Sequence, residues 1–231
     1  MHIIAIILAA GQGRRMNLPV AKQFLNLCGR PMIYYSLKAF ESSRVDEIIL
    51  VTGKEQVEYY KRLVSDYSIT KVTKVIEGGA ERYDSVFNAL KSIKNADYVL
   101  IHDGARPFIS HDKIDTVIDE VSKHKACILA VPVKETIKIA DEAGYVSQTP
   151  VRTNLWTAQT PQAFDYKLLK KAYDIFYDDR MNVSSITDDS MVYEKYANSR
   201  VKILLGDYNN IKVTTPEDLP LAEQLAALYF K

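Results

Sequence analysis

A chain of 231 residues with 47% hydrophobic and 26% charged residues has the composition of a globular protein able to bury a sizeable core. Its formal net charge of +1 provides no overall field toward nucleic acid or an anionic membrane, so anion recognition must come from local clusters. The two cysteines, Cys28 and Cys127, lie far apart, which argues against a disulfide framework and fits a reducing, cytoplasmic setting. Both are expected as small buried apolar residues. His2, His102, His111 and His124 show no zinc-like spacing, and no apolar run approaches the roughly 20 residues of a membrane span.

The first stretch is the most informative. Ile3 to Ala10 is a continuous apolar run that suits a strand buried on both faces of a parallel sheet. It stops at Gly11-Gln12-Gly13, where the backbone can turn tightly and offer N–H groups to an anion, and Arg14 and Arg15 follow with forked cationic donors. The pattern reads as a polyphosphate site, with a plain strand-to-helix turn and solvated arginines as the alternative. It is neither a complete G-x-G-x-x-G fingerprint, since Met16 stands at the third glycine, nor a P-loop. Lys22, in the connection that follows, can swing back over phosphates as a mobile point charge or remain a loop lysine.

Pro31 opens a helical pattern with Ile33, Leu37 and Phe40 at core spacing. Glu47 to Thr52 predicts a strand, Glu55 to Ser65 a helix and Lys71 to Ile76 a third strand. This alternation predicts βαβ units and a mostly parallel sheet, whose ligands sit beyond the carboxyl ends of the strands. The third strand ends in Gly78-Gly79, where close backbone approach to a ligand is possible, and Arg82 and Ser85 follow in the first turn of a helix. A glycine hinge with ordinary capping is the alternative. Tyr98 to Ile101 is a fourth strand, ending in His102-Asp103-Gly104-Ala105-Arg106-Pro107. Asp103 and Arg106 there suit a metal-bound phosphate and a polyol phosphate, or else pair with each other, and His102 is expected as a packed strand-end residue.

Ala126 to Val133 predicts a fifth strand. Lys134 to Ala140 and Tyr145 to Gln148, around Asp141 to Gly144, predict a β-hairpin. A lone hairpin is marginal in water, so this arm is expected to pack on another subunit of a C2 dimer. Thr149 to Phe164 reads as a polar, proline-punctuated segment. It leads into a helix over Tyr166 to Phe176, an exposed loop at Asp178 to Met181, and a further helix starting at Thr187-Asp188-Asp189-Ser190. Val201 to Gly206 is the last strand. Thr215 then reads as an N-cap with Pro216 at the first helical position, and the terminal helix is expected to bury Leu221, Leu225 and Leu228.

Taken together, Leu8-Ala9-Ala10-Gly-x-Gly-x-Arg15-Met16, Lys22-Gln23, Gly78-Gly79-x-x-Arg82-x-x-Ser85-Val86, His102-Asp103-x-Ala105-Arg106-Pro107, Thr160-Pro161-Gln162 and Ile211-Lys212-Val213-Thr214 resemble the 2-C-methyl-D-erythritol 4-phosphate cytidylyltransferases. The likeness covers essentially the whole chain. It implies a Rossmann-like nucleotidyltransferase fold: one α/β domain over residues 1–231, a mostly parallel twisted sheet with flanking helices, and a projecting β-arm at about 134–152 used for dimerisation. It implies transfer of CMP from CTP to 2-C-methyl-D-erythritol 4-phosphate with release of pyrophosphate. Mg2+ or another divalent cation would be carried mainly on the CTP phosphates, with Asp103 nearby. Neither nucleic acid nor membrane is expected as a partner.

By that match Arg15, Lys22, Arg152 and Lys212 are the catalytic cations. The first two stabilise charge on the pentacoordinate transition state and the last two position the incoming phosphate. Ala9, Ala10, Gly11, Gly13, Gly79, Ala80, Arg82, Ser85 and Gly104 are implied for the nucleotide. Ala80 stands where many relatives carry Asp, so only a backbone contact is expected from it. Asp103, Arg106, Thr136, Arg152, Thr160, Thr187 and Lys212 are implied for the polyol phosphate, with Thr136 and Arg152 donated across the dimer. Ribitol-5-phosphate cytidylyltransferases are the nearest alternative. They tend to carry Leu-Ala-Gly-Gly after the first strand and Ser after the His-Asp pair, where this chain has Leu-Ala-Ala-Gly and Gly104. A non-catalytic nucleotide sensor would need fewer cations, and a nicotinamide dehydrogenase would need the missing glycine.

Overall fold

The computed structural model describes residues 1–11, 25–179 and 186–229. The elements run β1 (Ile3–Ala9), β2 (Asn26–Leu27), β3 (Arg30–Pro31), α1 (Met32–Glu41), β4 (Glu47–Thr52), α2 (Val57–Asp66), β5 (Val72–Glu77), α3 (Arg82–Ser92), β6 (Tyr98–Asp103) and α4 (His111–His124). They continue with β7 (Ala126–Pro132), β8 (Ile139–Ala140), β9 (Val146–Gln148), β10 (Trp156–Asp165), α5 (Tyr166–Asp179), α6 (Asp189–Tyr196), β11 (Lys202–Leu205) and α7 (Asp218–Tyr229).

A seven-stranded sheet has the order β11-β7-β10-β6-β1-β4-β5. Every neighbouring pair is parallel except those of β10, which runs antiparallel to both β6 and β7. The expected α/β architecture with a mostly parallel sheet is therefore present. The alternation of side chains explains why the first strand is apolar throughout. Ile3, Ala5 and Ile7 enter a core with α1, α2 and α4, while Ile4 and Ile6 enter one with α3, α5 and α6. A smaller core seats α7 and the β2–β3 hairpin through Leu27, Met32, Tyr35, Val213, Ala222 and Leu225.

Four sequence expectations change. Thr149 to Phe164 is not all loop, because Trp156–Asp165 forms an inner strand of the sheet. Its polar residues and Pro161 disguise it. Three of its residues, Gln159, Thr160 and Pro161, stand opposite Leu129 alone between the Ala158–Ala130 and Gln162–Ile128 pairs. The proline thus sits in a bulge where no ladder N–H is required. Gln159 and Gln162 are buried and spend their amides on neighbouring segments. Gln162 Oε1 accepts the Asp189 and Ser190 N–H groups at 3.2 and 3.1 Å, and its Nε2 donates to Asp188 at 2.9 Å.

Second, Cys28 is exposed. It shares with Gly29 the tip of the β2–β3 hairpin, and both have positive φ, 46° and 77°, as a two-residue primed turn demands. Cys127 is buried as expected, and burial raises its thiol to about 12. Third, α7 begins at Asp218 rather than just after Thr215, because the Asp218 carboxylate accepts the Thr214 and Thr215 N–H groups at 2.6 and 2.9 Å. The buried face of α7 is Ala222, Leu225 and Ala226, while Leu221 and Leu228 are exposed. Fourth, Asp178 and Asp179 complete α5 instead of opening a loop, and Arg180 and Met181 lie outside the described residues.

The β8–β9 hairpin exists and its strands are exposed. Since β7 is antiparallel to β10 and β10 antiparallel to β6, β7 runs parallel to β6. The hairpin leaves the sheet after Pro132 and so rises from the same edge as the carboxyl ends of β1, β4, β5 and β6.

Candidate active site

Parallel pairing in register brings the strand ends together. Leu8 pairs with Asp103 and with Val51, Ala9 with Thr52, and Thr52 with Glu77. The carboxyl ends of β1, β4, β5 and β6 therefore line one edge, the place where an open α/β sheet binds ligands.

Asp103, at the tip of β6, is the centre of the cluster. Its Oδ2 accepts from Lys212 Nζ at 2.7 Å and its Oδ1 from Arg82 Nε at 3.1 Å. Burial pushes this carboxyl up, but Arg82 and Lys212 outweigh burial and hold it well below the usual carboxylate range. The Asp103 carboxylate pairs with Arg82 and Lys212 rather than with Arg106.

Arg82 extends the cluster away from the sheet edge. Its second guanidinium contact is Asp189 Oδ2 at 2.8 Å, and Asp189 Oδ1 accepts from the buried Tyr173 hydroxyl at 2.6 Å. Burial lowers the Arg82 guanidinium, but Asp189 and Asp103 more than offset it and keep it charged. Sequence reasoning did not find Asp189 or Tyr173. Asp189 looks like one more acidic residue at a helix start, and only the fold turns it toward Arg82.

The glycine pair meets needs of the protein's own packing. A Cβ on Gly78 would lie 2.6 Å from both Ala10 Cβ and Ser85 Oγ, and one on Gly79 would lie 2.1 Å from Asp84 Cβ. Ser85 Oγ accepts the Gly79 N–H at 3.1 Å, so the turn after β5 is fixed by the start of α3. The Glu81 N–H donates to Asp84 Oδ2 at 2.9 Å, capping that helix. Ala9 and Ala10 are partly buried, and Gly11 and Ala80 are exposed. Gly104 is buried, its N–H donating to the Leu8 carbonyl at 2.9 Å.

His102 is buried against Phe40, as a packed residue. Its Nε2 lies 3.1 Å from the Arg106 carbonyl and must donate to it, so Nδ1 accepts from the Thr160 hydroxyl at 3.0 Å. Thr160 Oγ1 in turn accepts the Asp103 N–H at 3.0 Å. Burial lowers the imidazole to about 4, so it is neutral and structural at physiological pH. Thr160, implied as a polyol ligand, thus commits its hydroxyl beneath Asp103.

Arg106 donates to the Asn210 carbonyl at 2.7 Å, and burial lowers its guanidinium despite nearby Asp103. Asn210 is held by Gln159 and the Thr160 carbonyl, at 3.4 and 2.9 Å. The bulge of β10 therefore positions both Arg106 and the segment leading to Lys212. Thr187 is exposed, its hydroxyl 3.0 Å from Met191 Sδ. On the arm, Thr136 is exposed and Arg152 is exposed with Nη1 donating to the Lys134 carbonyl at 3.1 Å. Gly13, Arg15 and Lys22 lie outside the described residues. Among the described residues, no group of three or more His, Cys, Asp or Glu side chains is arranged to hold a metal, and no helix is long and apolar enough to cross a membrane.

A family model described as IspD, 2-C-methyl-D-erythritol 4-phosphate cytidylyltransferase, matches residues 3–227. The chain belongs to that family. A cytidylyltransferase of this name from Lachnoclostridium phytofermentans is 49% identical over 229 residues, covering 96% of this chain and 95% of the relative. One from Lachnospira eligens is 49% identical over 219 residues, covering 94% and 96%. The crystal structure of the 4-diphosphocytidyl-2C-methyl-D-erythritol synthase of Anaerococcus prevotii superposes with a TM-score of 0.86 at 35% identity, covering 98% and 96%. As a member of the IspD family the chain is a nucleotidyltransferase that moves CMP from CTP onto 2-C-methyl-D-erythritol 4-phosphate, in isoprenoid biosynthesis.

Proposed function

We propose that CMP transfer takes place at the Asp103 edge of the sheet, in a cleft completed by the arm of a second copy of the chain. The observation that carries this reading is the Asp103–Lys212–Arg82 ion cluster at the edge from which the arm rises. The triphosphate lies along Ala9, Ala10, Gly11 and Gly13 and the turn of Gly79 and Ala80, near the N–H groups at the start of α3, with Arg82, Ser85 and Gly104 supporting those turns. The polyol phosphate lies by Asp103, Arg106, Thr160, Thr187 and Lys212. Thr136 and Arg152 come from the partner's arm, in a homodimer working in the cytoplasm.

The chemistry needs no strong base. A phosphate monoester with a second pKa of about 6 is mostly dianionic at neutral pH, so its oxygen can attack the α-phosphorus of CTP directly as pyrophosphate leaves. The barrier lies in joining two anions and spreading charge over the transition state, which positioned cations address. Lys212 and Arg152 orient the attacking phosphate, and Arg15 and Lys22 stabilise charge on the phosphorus. His102, buried and bonded at both nitrogens, takes no part in proton transfer.

Both Asp103 oxygens already face cations, so a divalent metal fits the triphosphate oxygens better than this carboxylate. Bound there, Mg2+ would neutralise phosphate charge.

The test is pyrophosphate release from CTP with methylerythritol phosphate and with ribitol 5-phosphate. Turnover of the first supports the reading, and turnover of ribitol 5-phosphate alone overturns it. Arg15→Ala and Lys22→Ala are each expected to lower turnover far more than CTP affinity, and equal losses in both would assign them to ground-state binding.

A further inference from the structure

Behind the reacting edge lies a row of alternating partners that reaches into the second core. From the sheet tip inward it runs Lys212, Asp103, Arg82, Asp189, Tyr173. The contacts are 2.7 Å from Lys212 Nζ to Asp103 Oδ2, 3.1 Å from Arg82 Nε to Asp103 Oδ1, 2.8 Å from Arg82 to Asp189 Oδ2 and 2.6 Å from the Tyr173 hydroxyl to Asp189 Oδ1. Asp189 and Tyr173 are fully buried, Asp103 is buried, and Arg82 and Lys212 are partly buried. The innermost pair is fixed by regular structure. Tyr173 sits in mid-α5, and Asp189 starts α6 with its N–H on Gln162 of the bulged strand.

We infer that Asp189 is a positioning residue for the transfer reaction, holding Arg82 from behind so that Asp103 presents a fixed carboxylate to the polyol and to Lys212. The inference rests on the reading of Asp103 and Lys212 as polyol-phosphate residues. Geometry and charge balance support it. Arg82 has two carboxylates, so it can neither swing toward an incoming phosphate nor leave Asp103. Asp103 has two cations, so its orientation depends on both staying in place. Without Asp189, Arg82 would face Asp103 alone, gain freedom to follow the phosphate, and leave Tyr173 without its buried acceptor.

The experiment is steady-state kinetics of Asp189→Asn, Asp189→Glu and Tyr173→Phe beside the wild-type enzyme, with each substrate varied separately. For Asp189→Asn the expected result is a loss of about 10–100-fold in kcat/KM for methylerythritol phosphate, as when a partner orienting a ligating group is removed. The KM for methylerythritol phosphate should rise by more than that for CTP, whose turn Arg82 also supports. Asp189→Glu should restore part of the loss, and Tyr173→Phe, a milder change that keeps the charges, should move the same KM in the same direction by less. A purely structural role would lower the active fraction and leave both KM values alone. That result, or an equal rise in both, overturns the inference. Should Asp189→Asn not fold, Tyr173→Phe decides by the same split. Absence of wild-type turnover would instead overturn the functional reading, so the two failures are distinct.

Discussion

Asp103 and Lys212 are far apart in the chain, yet their side chains meet at 2.7 Å at the carboxyl edge of the sheet. The segment carrying Lys212 is held by Asn210, whose side chain donates to the Thr160 carbonyl at 2.9 Å, and Thr160 in turn receives the Asp103 N–H. Lys212 is thus a preorganised cation. Lys212→Ala is expected to lower kcat/KM for methylerythritol phosphate by about 10²–10³, the scale of losing one preorganised donor, because the attacking phosphate is no longer oriented. Initial-rate kinetics check this, and a loss confined to the KM for CTP would contradict it.

Stability should fall in mild acid through His102. In the folded state burial lowers this imidazole from 6.5 to about 4. Between those values the unfolded chain binds the proton and the folded one does not, so stability rises with pH across the window and is lost as pH falls from about 6.5 to 4. The shift is worth about 3 kcal/mol at most. Asp103, whose carboxyl lies below its ordinary value, adds a loss only at still lower pH. Thermal melts against pH should show the first decline, and His102→Gln should flatten it. An unchanged slope in that variant would assign the acid sensitivity elsewhere.

Two glycine substitutions should separate. In Gly79→Ala the new Cβ would lie 2.1 Å from Asp84 Cβ, an atom next to the α3 backbone that cannot move aside cheaply. A destabilisation of about 1–3 kcal/mol is expected, together with weaker CTP binding from a displaced turn. In Gly104→Ala the tightest neighbour is Ile33 Cδ1 at 2.4 Å, the end of a flexible side chain, with the Leu8 carbonyl oxygen next at 3.0 Å. A side-chain end yields more readily than a Cβ beside helix backbone, so the change should cost less than at Gly79 even though Ile33 is buried. Denaturant melts and calorimetry with CTP compare the two, and equal costs would contradict the packing argument.

The contrast between what sequence conveyed and what it concealed has a physical origin. Elements buried on both faces, such as Ile3–Ala9 and Ala126–Pro132, are legible because uninterrupted β-branched and apolar runs have few other uses. Trp156–Asp165 is equally internal but carries Gln159, Thr160, Pro161 and Gln162, which serve distant segments and hide its period. Asp103 and Arg106 were legible as charges at a strand end, and Lys212 through the family resemblance. Asp189 was not, since its partners Arg82 and Tyr173 are brought to it by the fold alone. Leu221 and Leu228 were misassigned because alanines, Ala222 and Ala226, allow α7 to approach the core closely.

The arm makes a further prediction. Ile139, Tyr145 and Val146 are exposed on a two-stranded hairpin that cannot bury them itself. If the proposed dimer forms through the arm, deleting residues 138–146 should leave a monomer in sedimentation velocity and abolish turnover. An intact dimer would assign dimerisation to another face.

The most direct test of a cleft shared between two copies is complementation. Arg152→Ala impairs the residue offered by the arm and Lys212→Ala the residue offered by the sheet edge. Each homodimer should be nearly inactive. In a co-expressed mixture, a heterodimer would contain one site with both defects and one with neither. Random pairing would then restore about a quarter of wild-type turnover. Recovery near that level is the predicted result; a mixture no more active than the two variants alone would contradict donation of Arg152 across the dimer.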